Sequence, residues 1–96
     1  MKTIHKYPVP IDRDYFDLEL PEGAEILTVQ VQRDQVCLWC TVNTERARQF
    51  KHTFRLAGTG HELDNDELLK YIGTFQLNQG WVIGHLFEVL GKLSRN

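Results

Sequence analysis

The chain has 96 residues, 42% of them hydrophobic, 25% charged and 10% aromatic, which is the size and composition of one soluble domain and leaves no room for a second. Eleven Lys and Arg against thirteen Asp and Glu give a formal charge of −2, without the basic excess that general duplex-DNA binding requires. No apolar run approaches a membrane span, and the start Met1-Lys2-Thr3-Ile4-His5 lacks the apolar core of a signal peptide. An intracellular protein is expected, and its two cysteines cannot build a disulfide framework.

In chain order, a short strand is expected over Thr3 to Tyr7, stopped by Pro8 and Pro10. From Tyr15 to Leu20, Phe16, Leu18 and Leu20 oppose Tyr15, Asp17 and Glu19, and Pro21-Glu22-Gly23 supplies turn chemistry. Between Glu25 and Gln32, Leu27, Val29 and Val31 alternate with Thr28, Gln30 and Gln32, the period of a half-buried strand. Arg33-Asp34-Gln35 separates it from the β-rich run Val36 to Val42, in which Val36, Leu38, Cys40 and Val42 share a face. Phe50 to Leu56 alternates again, with a basic outer side. Asp64 followed by Glu67 is close to a capping box and predicts one helical turn around Asp66 to Lys70. Tyr71, Gly73, Phe75 and Leu77 then alternate before a hairpin loop at Asn78-Gln79-Gly80. Trp81 to Val89 has both helical and strand character; its β-branched residues and Gly84 favour a strand. The expected architecture is all-β: a small antiparallel sandwich or partly open barrel of six to seven strands with at most one short helical turn. It is read as a single domain over 1–96, with an ordered core of about 2–90 and a tail over 91–96.

Several residue groups invite chemistry. Cys37 and Cys40 form a C-x-x-C, and His52 and His61 extend it towards a zinc pattern. On a strand, however, residues three apart face opposite ways, so no shared metal and no cofactor is expected, and one thiol should pack in the core. Gly58-Thr59-Gly60-His61 could place backbone N–H groups and an imidazole around an anion, although the plainer reading is a tight connection. Arg46, Arg48, Lys51 and Arg55 cluster with only Glu45 to offset them. If Lys51 and Arg55 share a surface with Trp39, that surface offers guanidinium forks and an aromatic plate suited to a phosphorylated ligand. The plain alternative is a solvated strand face. His52 and His85 fall on expected apolar faces and read as hydrogen-bonded core histidines. The spacings assemble no activated nucleophile and no acid–base pair, so an enzyme is not expected.

Six stretches together resemble a family of small proteins encoded by tailed bacteriophages and prophages. They are Ile4-His5-Lys6-Tyr7-Pro8, Leu20 to Gln32, Leu38-Trp39, Gly58-Thr59-Gly60-His61, Tyr71 to Leu77, and His85-Leu86-Phe87-Glu88. The resemblance runs from about Met1 to Val89 and supports a strand at Trp81 to Val89. Cys40 departs from it, standing where a small apolar residue is expected. It implies a viral source; with the basic strand and the Gly58-Thr59-Gly60-His61 turn, a phage accessory protein acting in the host cytoplasm is expected. The expected role is antagonism of a host defence by binding and sequestering a small anionic, nucleotide-type signal through Arg46, Arg48, Lys51, Arg55, Trp39, Gly58, Thr59, Gly60 and His61. The alternatives are a direct protein inhibitor of a host effector and a minor virion or assembly component. Strand edges that need covering suggest a homo-oligomer.

Overall fold

Residues 1–94 are described by the computed structural model, and the expected strands form, most of them a residue or two longer than the alternation alone marks. They are β1 (Lys2–Pro8), β2 (Tyr15–Pro21), β3 (Glu25–Gln32), β4 (Gln35–Asn43), β5 (Gln49–Gly58), β6 (Glu67–Leu77) and β7 (Val82–Lys92). All paired neighbours are antiparallel, in a three-stranded sheet of order β1-β4-β3 and a four-stranded sheet of order β2-β5-β7-β6. The two sheets stack into a sandwich 17 Å thick at the Cα level. Between them lies a core that includes Phe16, Leu20, Val29, Val36, Leu38, Cys40, Val42, Phe54, Phe75 and Leu86. Burying side chains of this size is the main favourable term for so short a chain.

Turn chemistry sets the registers. Arg33 and Asp34 both take positive φ, 49° and 65°, and Gln32 pairs directly with Gln35. That is the two-residue primed turn whose twist matches antiparallel strands. The β6–β7 connection, Asn78–Gly80, is a short 3-10 turn, the only helical element among the described residues.

Four expectations need correction. The helical turn at Asp66 to Lys70 does not form. Asp64 Oδ1 instead accepts the Asp66 N–H at 2.9 Å and the Asp64 carbonyl accepts the Glu67 N–H at 3.2 Å. The acid-rich run therefore closes one tight turn and delivers Glu67 directly into β6. A bulge between Ile26 and Thr28 breaks the β3 alternation, so Ile26 packs against the core while Leu27 is 50% exposed. A second bulge between Tyr71 and Gly73 turns Tyr71 outward and lets Ile72 meet the core; each extra residue reverses the facing of what precedes it. Finally, β7 reaches Lys92 and the Leu93 N–H donates to the Asp66 carbonyl at 2.7 Å, so the expected tail from 91 onward begins as paired strand. Residues 95–96 of that tail lie outside the described residues.

Both cysteines are free and buried. Cys40 faces the core as expected, and Cys37 is buried on the opposite side of β4, next to Pro8 and Gln30. Among the described residues no helix is long and apolar enough to cross a membrane.

Candidate anion-binding site

Four segments meet at one end of the sandwich: the start of β1, the β2–β3 turn, the end of β4 and the residues that lead into β5. They enclose a cleft of about 220 Å³ lined by Lys2, Glu22, Gly23, Thr41, Val42, Asn43 and Arg46. Backbone pairing builds it. Lys2 sits opposite Asn43 in the β1–β4 register, and the Glu22 N–H donates to the Arg48 carbonyl at 2.9 Å, which ties the turn to the basic segment. Gly23, with φ +80°, takes the left-handed conformation that this turn needs and that a side chain resists.

The polar groups converging here are mainly donors. The Glu45 N–H donates to Asn43 Oδ1 at 3.0 Å; because an N–H requires an acceptor, this fixes the amide orientation and leaves Nδ2 with its two hydrogens as the free end. Lys2 has no acidic partner among the described residues. Arg46 has one, donating through Nη1 to Glu22 Oε1 at 2.9 Å. Arg48 lies over the ring of Phe50, its guanidinium carbon 5.3 Å from the centroid, and Phe50 is 42% exposed. Two cations, an amide donor and the Thr41 hydroxyl thus share a small concavity, with a guanidinium–aromatic plate nearby.

The other expected ligand residues are dispersed. Trp39 lies on the outer face of the three-stranded sheet, where Lys6 Nζ is 5.7 Å from its ring centroid. Lys51 and Arg55 lie on the outer face of the four-stranded sheet, so the shared surface with Trp39 is not formed. Lys51 stands opposite Glu19. Arg55 is only 7% exposed: its Nη2 donates to the Glu62 carbonyl at 3.2 Å, Asp14 Oδ2 is 3.6 Å from Nη1, and the guanidinium carbon is 5.1 Å from the Tyr15 centroid. The Tyr15 hydroxyl donates to Glu67 Oε1 at 2.8 Å, a bond that raises the phenol pKa. Arg55 is thereby a strut between β5 and the segment before β6.

Gly58-Thr59-Gly60-His61 is a tight turn closed by the His61 N–H donating to the Gly58 carbonyl at 3.1 Å, with φ +89° at Gly60. The Gly58 N–H donates to His61 Nδ1 at 3.0 Å, so one of the glycine N–H groups expected to hold an anion is taken by the turn's own imidazole. This turn sits at the opposite end of β5 from Arg46 and Arg48. His52, expected in a hydrogen-bonded core role, meets Glu88 Oε2 through Nδ1 at 2.7 Å. No cluster of three or more His, Cys, Asp or Glu able to hold a metal ion occurs among the described residues.

Sequence reasoning missed Lys2 and Asn43, because only the β1–β4 register brings them together with Arg46. The signal available was a lysine at the start of one strand and an Asn-Thr-Glu-Arg run at the end of another, which says nothing until the pairing is known.

The fold and its end cleft define a small antiparallel two-sheet sandwich with a cation-lined concavity. Within that class, the chain belongs to the family described as a domain of unknown function, DUF7352, whose model matches residues 1–94. No curated protein and no solved structure matches the chain.

Proposed function

We propose that this protein is a binding module for a small anionic ligand, held at the end cleft by Lys2, Asn43 and Arg46. The observation that carries the reading is the fixed orientation of Asn43, which adds a neutral donor to two cations in one concavity. Such a set complements phosphate or carboxylate oxygens, which are acceptors only. At about 220 Å³ the cleft is smaller than the ~300 Å³ at which pockets begin to enclose a whole organic ligand. It therefore takes the anionic group, while an attached ring lies outside, against Arg48 and Phe50.

A nucleotide fits that division, and the resemblance to phage and prophage proteins gives it a purpose: sequestering a nucleotide signal of a host defence within the host cell. Direct inhibition of a host protein is the second reading, favoured by Trp81, which is 88% exposed, more than an indole normally is without a partner.

Native mass spectrometry of the protein purified from defence-active cells, followed by calorimetric titration with pyrophosphate and adenosine diphosphate at low salt, tests the first reading. A retained or titratable phosphate ligand is expected, with affinity reduced about tenfold or more in Arg46→Ala and Lys2→Ala, the loss of one charge-assisted hydrogen bond each. A clean apo mass with no titration heat up to millimolar ligand rejects it and directs attention to the Trp81 surface.

A further inference from the structure

The far end of β5 holds a second group of polar side chains, unrelated to the cleft above. Thr59 projects from the Gly58–His61 turn, and its Oγ1 is 2.8 Å from His85 Nε2 on β7. His85 Nδ1 is in turn 2.9 Å from Thr74 Oγ1 on β6, and Thr74 Oγ1 is 2.6 Å from the Tyr71 hydroxyl. With its proton on Nδ1, His85 donates to Thr74 and offers the Nε2 lone pair to the Thr59 O–H. A hydroxyl, a base within hydrogen-bond reach and a third group that fixes the base make up the arrangement that activates a nucleophile.

The surroundings suit acyl chemistry. Thr59 and His85 line a cleft of about 240 Å³ whose other walls include Ala57, Leu63 and Phe87, an apolar surface for a short acyl chain. The N–H groups of Thr59 and Gly60 donate to no acceptor among the described residues, which leaves turn amides available to a developing oxyanion. His61 lines the same cleft but is not the base: its Nδ1 accepts the Gly58 N–H, so in the neutral ring the proton sits on Nε2.

We propose that this cleft cleaves small activated acyl esters, with Thr59 as nucleophile, His85 as general base, and Thr74 and Tyr71 as positioning residues. Thr59 Oγ1 bonds to the carbonyl carbon as its proton passes to His85 Nε2. The bond from that carbon to the leaving oxygen then breaks, and the leaving oxygen takes the proton from Nε2. Water, deprotonated by Nε2, attacks the acyl-Thr59 ester; the carboxylic acid departs and the proton returns to Thr59 Oγ1. Oxidation states are unchanged, and no co-reactant beyond water is consumed.

The test uses the full chain with p-nitrophenyl acetate, reading p-nitrophenol release together with peptide mapping of the acetylated protein. The expected result is acetyl on Thr59 and release that falls at least tenfold in Thr59→Ala and His85→Gln. Release should persist in Thr59→Ser. Tyr71→Phe should lower kcat with little change in KM, as a positioning role demands. Circular dichroism verifies the fold of each variant. Acetylation confined to lysines, or release that a folded Thr59→Ala retains in full, overturns the proposal.

Discussion

At the scale of single residues, the tightest packing lies where strands carry glycine. A Cβ on Gly84 would strike the ring of its cross-strand partner Phe75, with Cε1 only 2.8 Å away, and one on Gly73 would lie 2.8 Å from Val29 Cγ1. Phe75 is buried in the core between the sheets, so its ring cannot shift without disturbing its packed neighbours. Gly84→Ala is therefore expected to destabilise by about 1–3 kcal/mol, the usual cost of overfilling a core, seen as a lower urea midpoint at unchanged m value. The buried thiol of Cys40 makes a different prediction. Burial, with a smaller contribution from Glu88, pushes its pKa up from 9.0 to about 11, because a thiolate there would be desolvated and face a carboxylate. The unfolded chain thus loses this proton at a lower pH than the folded one. Its contribution is fully present below pH 9 and is lost as pH rises from 9 to 11. Over that interval stability should fall by about 2–3 kcal/mol, and in Cys40→Ala, destabilised throughout by its cavity, this part of the pH dependence should vanish. Denaturant titrations at several pH values measure both.

Among the elements, the turns between strands carry local conformational cost. Arg33 and Asp34 hold left-handed φ without being glycine, at a cost that Asn-Gly would relieve. Asp34→Gly is expected to stabilise the β3–β4 hairpin by about 0.5–1 kcal/mol and to raise Tm by about 2–6 °C, read by calorimetry. The strands themselves were legible because β4 and β5 alternate in sequence, and the residues so aligned, Val36, Leu38, Cys40 and Val42 on one and Phe54 and Leu56 on the other, are buried in the core. The bulges were not, since Ile26 and Leu27 are both apolar, and a period of two cannot tell which of two adjacent apolar residues is the extra one. Nor could the sequence separate a helix cap from a tight turn at Asp64, because the same carboxylate accepts backbone N–H groups in either. Both sites were hidden for one reason. Lys2 and Arg46 line one cleft only because β1 pairs with β4, and Thr59 meets His85 from 26 residues away, so no local spacing encodes either; Gly-Thr-Gly alone marked the second as a turn.

Across the whole molecule, the two ends of β5 carry different charged groups within a small net value of −2. Lys2, Arg46 and Arg48 sit where β5 begins. Asp12, Asp14 and Glu62 gather where it ends, around Arg13 and the buried Arg55. A ten-residue strand at about 3.3 Å per residue puts the two ends roughly 30 Å apart, several times the Debye length of about 8 Å at physiological salt. Acids at the far end therefore have almost no influence on an anion in the Lys2–Arg46 cleft, whereas Glu22 is inside it. Its carboxylate already occupies one arm of the Arg46 guanidinium, the position that a ligand phosphate needs. Because that ion pair is exposed, with side-chain accessibilities of 59% and 36%, displacing it is cheap, of the order of the 0.2–1 kcal/mol such pairs contribute. Glu22→Gln should accordingly strengthen pyrophosphate binding by about two- to fivefold at low salt, and the gain should shrink as salt is added. Glu62→Gln, at the far end, should change nothing at physiological salt. Calorimetric titration of the two variants in parallel separates a local competitor from a general effect of net charge, since each substitution removes one negative charge and only their distance from the cleft differs.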